Sequence, residues 1–273
     1  MYYFYHSKHN SFGYNPALLS KEGFTDILIC STSRKLLTTE EITMLNERHS
    51  FSVASTADFM YRVYAWMAFG LGISAVVAFM VASNPAAVKA LLLSPLRWVV
   101  FLGQIGLVVA LAGWTQKFSY ATCVALFSFY AALSGVTLST ILLLYTLNSV
   151  YLGLAITAGT FATMAIYGYV TKTDLTSLGS FLTMGLFGIS IAMLANIWFQ
   201  SPATQYYISL IAVGIFTLLT AYDVQKIKEI GQQTMMTENE GRQKVAIVCA
   251  LELYLDFVNL FIHLMRLFGK RRD

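Results

Sequence analysis

Charge is what this chain has least of. Only 12% of its 273 residues are Asp, Glu, Lys or Arg, against about 25% in an ordinary soluble domain. No residue is charged between Lys117 and Lys172, or between Asp174 and Asp223. A soluble enzyme or a disordered chain is excluded on that ground, because a soluble domain of this size could not hide so much apolar surface. The net charge of +4 is small and sits in loops and the tail, which excludes nucleic acid as a partner. Cysteine is scarce too. Cys30, Cys123 and Cys249 form no CxxC and no metal spacing, and the last two lie in apolar runs, as buried thiols do. Residues 1–58 contain no apolar run preceded by bases, so no cleaved secretory leader is expected. No phosphate loop, dinucleotide fingerprint or GxSG nucleophile setting is present, and no cofactor is expected.

What fills the chain is apolar: 57% of residues are hydrophobic. Seven apolar segments stand near 63–82, 98–115, 121–142, 150–170, 178–198, 206–225 and 248–267, separated by turn signals such as Ser94-Pro95 and Ser201-Pro202. Each is close to the roughly 20 residues that a membrane span needs. In lipid the backbone must satisfy itself, so these are helices. Their apolar runs are continuous rather than alternating, which disfavours an outer-membrane barrel. The expected fold is an all-α integral membrane domain over 59–273, preceded by a polar, flexible segment over 1–58 in which Met44 is an alternative start. Residues 226–247 read as one sizeable polar loop.

Small residues recur at helix spacing: Ala131, Gly135 and Ser139 in the third segment, Gly185 and Gly188 in the fifth. They suit close helix packing, or else a gating hinge. For orientation, Arg62, Lys117, Lys172, Lys226, Lys228, Arg242 and Lys244 fall at one end of the segments, and Lys89 and Arg97 at the other. That favours a cytoplasmic N-terminus. The tail, with Arg266, Lys270, Arg271 and Arg272, disagrees: the last segment spans fully and carries these bases across, or it is re-entrant.

Three acids lie inside apolar segments: Asp223, Glu252 and Asp256. A charge at the bilayer centre costs roughly 3 kcal/mol on insertion scales, so such residues pair, hold a proton or line a polar path. In the last segment Glu252, Asp256, Asn259, His263 and Arg266 fall at i, i+4, i+7, i+11 and i+14, one stripe of a helix. The stripe faces a polar lumen, or it ties helices together by hydrogen bonds. If Asp223 and Asp256 meet, they cannot both ionise cheaply in a dry site, and their titration belongs to the pair. Protonated, the pair ties the sixth helix to the seventh; ionised, it repels or recruits a hard cation such as Ca²⁺. Tight metal binding is not expected. Lys117 is a possible salt-bridge partner for Asp223, or an interfacial lysine that marks orientation.

TAYDVQKIK followed by LYLDFVNLFIHLMRLFG closely resembles the paired signature of the Bax-inhibitor transmembrane (TMBIM) family. VYAWMAFGLGISA, FYAALSGVTLS and YGYVTKTDLTSLGSFL match it further, and the resemblance covers about 59–272. It is most similar to the bacterial inner-membrane branch. The resemblance implies seven helices, six of them around the last, and a pH-sensitive calcium leak channel rather than an enzyme. It implies that the acids at Asp223 and Asp256 are the pH-sensing pair, with a basic residue at Lys117 as partner of the first. Ca²⁺ and H⁺ would be the permeant or regulating ions and the lipid bilayer the surroundings. The departures are Lys rather than Arg at 117, which removes a bidentate bridge, and Glu252, a third acid one turn from Asp256. A second reading is a non-conducting regulator of a membrane-anchored AAA protease or of a stress response. An intramembrane aspartyl protease is disfavoured, because Asp256 lies in Tyr-Leu-Asp-Phe without the glycines of GxGD.

Overall fold

The computed structural model describes residues 39–84, 86, 88, 94–234 and 239–272. The chain divides between His49 and Ser50 into two units, and the apolar spans all lie in the second. Cys30 and Lys89 lie outside the described residues. Seven long helices are described: α1 (Thr39–Ala82), α2 (Leu96–Trp114), α3 (Tyr120–Leu144), α4 (Leu147–Val170), α5 (Thr176–Phe199), α6 (Pro202–Gln233) and α7 (Asn239–Phe268). A short 3₁₀ turn, Thr115–Lys117, joins α2 to α3. Each of the seven contains a stretch long and apolar enough to cross a membrane.

The helix ends follow local chemistry. Ser119 caps α3 by accepting from the Thr122 N–H at 3.2 Å, and Ser201 caps α6 by accepting from Thr204 N–H at 3.3 Å, with Pro202 in the first turn. Gln200 ends α5 in the left-handed region at φ 47°. The helices outrun the apolar segments in sequence. Helix α1 begins at Thr39, inside the stretch expected to be flexible. Most of 226–247 is helix rather than loop: α6 continues to Gln233 and α7 starts at Asn239. The bases there gain partners that a polar loop would not supply. Lys244 pairs with Glu240 one turn away at 3.7 Å and donates to the Phe118 carbonyl at 3.2 Å, and Arg242 donates to the Ser55 carbonyl.

Helix α7 is the axis. It carries thirteen buried residues, from Ala246 to Met265. Tyr254 stacks edge-on against Phe127 and Tyr130 of α3, and its hydroxyl stands 2.6 Å from Ser74 Oγ of α1. Phe257 meets Phe161 of α4. Leu111 of α2 lies in the same apolar cluster as Leu251 and Tyr254, and Leu182 and Ile189 of α5 cluster with Leu260 and Leu264. Helix α6 joins that second cluster through Phe216 and Leu219. Six helices therefore surround the last. The lipid-facing side is equally apolar, with Phe79, Phe181, Phe187, Ile191 and Trp198 exposed, as a bilayer rather than water requires.

The small residues divide. Ser74 Oγ stands 2.7 Å from the Ala131 carbonyl, and a Cβ added at Gly135 would sit 2.6 Å from Ser74 O. Ala131 and Gly135 thus let α1 and α3 touch. Gly185 meets only the flexible tip of Ile215, and a Cβ at Gly188 would meet open space. Gly188 is therefore no packing glycine, against its reading from spacing alone. Helix α7 runs unbroken to Phe268, so the bases of the tail emerge at the end of the bundle opposite Lys226.

Candidate functional site

The two intramembrane aspartates sit on neighbouring helices, Asp223 near the last third of α6 and Asp256 in the buried middle of α7. Three close approaches hold that part of α6 in place. Gly168 of α4 packs on the Ala221 carbonyl, where any side chain would collide with backbone. Gly179 of α5 receives the Tyr222 ring. Gln225 clamps the α4–α5 loop: its Nε2 donates to the Thr173 carbonyl at 2.8 Å and its Oε1 accepts from Leu175 N–H at 2.9 Å.

Within this frame the carboxyl groups of Asp223 and Asp256 face each other within hydrogen-bonding reach. Asp256 is 5% exposed, and its Oδ2 is fully buried with no hydrogen-bond partner. Two ionised carboxylates only accept, so the contact becomes a hydrogen bond when one proton sits between them. Left with no proton and no cation, the pair would bury like charges against one another.

The neighbouring charges are Lys226 and Glu252. Lys226 Nζ stands 3.1 Å from both Glu252 oxygens, so a second tie joins α6 to α7 beside the first. Both side chains are about a third exposed, at 38% and 34%. Glu252 is thereby turned to a cation rather than left as a bare third acid beside Asp256. Cys249, three residues before Glu252 on α7, is buried. Lys117 lies elsewhere, exposed in the 3₁₀ turn after α2. Among the described residues the ion pairs are Arg62–Asp58, Lys226–Glu252 and Lys244–Glu240, and Lys117 belongs to none of them. The cation near Asp223 is Lys226, three residues on along the same helix. That i,i+3 spacing puts both on one face and is readable in sequence, although Lys226 serves there only as a marker of orientation.

The polar stripe of α7 splits between roles. Glu252 and Asp256 meet Lys226 and Asp223. His263 is buried, with Nδ1 3.3 Å from Ser209 Oγ of α6 and its ring stacked on Phe216. These three hold α6 to α7. Asn259 and Arg266 instead line open cavities. Ser209 and Phe216 escape sequence reading, because a lone serine and phenylalanine in a span carry no signal until the partner helix is placed. Among the described residues no group of three or more His, Cys, Asp or Glu side chains could hold a metal ion.

Comparison with known proteins decides the family. Residues 56–273 match the family model described as inhibitor of apoptosis-promoting Bax1. The chain belongs to the Bax-inhibitor family. The match takes in nearly all of the first membrane span, the whole of the other six and both aspartates. A Bax-inhibitor relative from Escherichia coli K12, inner membrane protein YbhL, is 42% identical over 221 residues, which is 80% of this chain and 94% of that protein. A Borreliella burgdorferi protein is 46% identical over 217 residues, 79% of this chain and 93% of the relative. A Deinococcus radiodurans protein is 39% identical over 215 residues, with 79% and 91% covered. This chain is thus a Bax-inhibitor family membrane protein, and its α6–α7 carboxylate pair lies inside the shared region.

Proposed function

We propose that the protein is a pH-sensitive cation leak pathway, with Ca²⁺ as the permeant ion, and that Asp223 and Asp256 form the latch between α6 and α7. The observation that carries this reading is the buried Asp256 side chain, whose carboxyl lies beside that of Asp223 and whose Oδ2 has no hydrogen-bond partner. With one proton between them the carboxyls hydrogen-bond and tie the helices. With none they repel or share a hard cation, for which oxygen ligands are suited. Lys226 and Glu252 act on the same group and set its electrostatic surroundings. Lys226 is the nearer counter-charge, and Lys117 acts on the latch less strongly.

The bases at the latch end of the bundle, Arg62, Lys117, Lys172, Lys226, Lys228, Arg242 and Lys244, support a reading in which that end faces the cytoplasm, with a cytoplasmic N-terminus. By the likeness to YbhL the membrane is the bacterial inner membrane.

The test is the pH dependence of Ca²⁺ flux into proteoliposomes, followed from about pH 6 to 8. Wild type is compared with the Asp223→Asn/Asp256→Asn variant. The expected result is a pH-dependent flux that the variant flattens. An unchanged pH profile in the variant refutes the latch. No flux above empty liposomes from folded protein refutes conduction and moves the reading to a regulator of a membrane-anchored AAA protease, whose action needs no carboxylates on α7.

A further inference from the structure

The bases of the tail have no part in the latch. They stand at the opposite end of the bundle, and the tail there is held in place. Thr146 N–H donates to the Lys270 carbonyl at 3.0 Å, Arg272 N–H to the Leu144 carbonyl at 2.9 Å, and Lys270 N–H to Ser149 Oγ at 3.1 Å. An isolated antiparallel bridge joins Tyr145 to Arg271. These bonds fix the backbone of Arg271 on the α3–α4 turn. Arg271 then lines one cavity of about 440 Å³ together with Arg266, Gln205 and Tyr206. Among the described residues neither arginine is in an ion pair. Asp256, the nearest acid along α7, is ten residues from Arg266, about 15 Å along the axis. Two guanidinium groups in one concave site, with no carboxylate partner among the described residues, suit an anion with several oxygens, a phosphate above all.

A second cavity adjoins the first. It lies between α2, α3 and α7, has a volume of about 440 Å³ and is walled largely by apolar side chains such as Ile105, Val109, Leu255 and Val258. The two cavities share Thr137, Leu138 and Ile262, so a cationic mouth adjoins an apolar trough. Trp98, Trp198, Tyr206 and Tyr207 are exposed on the helix ends at the level of the mouth. Such aromatic rings mark the membrane–water interface. The mouth therefore lies at headgroup depth, and the trough runs from it along the acyl chains. A free anion would need only the mouth; the trough calls for an attached hydrocarbon chain.

We propose that this double cavity binds an anionic phospholipid, with the phosphate between Arg266 and Arg271 and one acyl chain in the trough between α2, α3 and α7. The site accounts for arginines at an end of the bundle where a cation path gains nothing from them. It does not depend on whether the protein conducts.

The full-length protein in detergent is titrated with phosphatidylglycerol or phosphatidylcholine of identical chains and examined by native mass spectrometry. Phosphatidylglycerol should be retained about tenfold more tightly than phosphatidylcholine, the size of effect expected from a charge-assisted contact. Arg266→Gln/Arg271→Gln should bring the two lipids level. Val258→Trp, which fills the trough and leaves both arginines, should weaken both lipids. Arg271 is exposed on the tail, so Arg271→Gln alone keeps the fold and should lose part of the preference. Equal retention of the two lipids by wild type, or a preference that survives loss of both arginines, overturns the proposal. Displacement of phosphatidylglycerol by inorganic phosphate at comparable concentration shows a free-anion site and also overturns it.

Discussion

Gly135→Ala and Gly188→Ala make the same chemical change in two membrane helices and should have opposite effects. At Gly135 the new methyl would sit 2.6 Å from the Ser74 carbonyl oxygen and 2.8 Å from Val77 Cβ. Neither neighbour is the free end of a flexible side chain, so α1 and α3 must separate. Overpacking of this kind costs about 1–3 kcal/mol. Separation also strains the Ser74 hydroxyl, which lies 2.7 Å from the Ala131 carbonyl and 2.6 Å from the Tyr254 hydroxyl; hydrogen bonds between membrane helices average about 0.6 kcal/mol. Against this stands the gain of about 0.5–1 kcal/mol from replacing a helical glycine by alanine. The expected balance is a loss of about 1–2 kcal/mol. At Gly188 nothing lies within 4 Å of the new methyl, and only the gain remains. Thermal unfolding in detergent can be followed through the reactivity of Cys123 and Cys249, both buried in the fold. Gly135→Ala should lower the midpoint by several degrees and Gly188→Ala should leave it unchanged or raise it. Equal shifts in the two variants, or a stabilised Gly135→Ala, would refute the close approach of α1 to α3.

The Lys226–Glu252 pair should show a coupling of only about 0.2–1 kcal/mol in a double-mutant cycle with Lys226→Met and Glu252→Gln, because both side chains remain partly exposed; a coupling of zero would mean that the contact does not persist. Asp174 accepts from Thr176 N–H at 2.8 Å, and hydrogen bonding to Thr176 holds its carboxyl below the usual carboxylate range. Its contribution to stability is therefore present above the unfolded value of about 3.9 and lost as pH falls through the lower folded value. A ¹³C-detected titration of Asp174 in micelles should show a depressed midpoint, and Asp174→Asn should remove the corresponding acid-limb change in stability.

Much of this protein was determined by its sequence alone. Uncharged runs such as 118–171 leave only lipid as the solvent, and in lipid a backbone has few ways to satisfy itself, so seven helices follow from composition and length. The family followed from TAYDVQKIK and LYLDFVNLF, because local signatures survive as strings. The acids Asp223, Glu252 and Asp256 stood out because charge inside an apolar run is costly enough to require a reason. Pairing was different. Only the tertiary structure gave Lys226 to Glu252 and left Lys117 in a turn by itself, because which side chains meet depends on how α6 lies against α7. It also divided the α7 stripe, sending His263 to Ser209 while Asn259 and Arg266 faced cavities: periodicity names a face but not what covers it. The same limit separated Gly135 from Gly188. Glycine spacing permits close packing, and the neighbouring helix decides whether the permission is used.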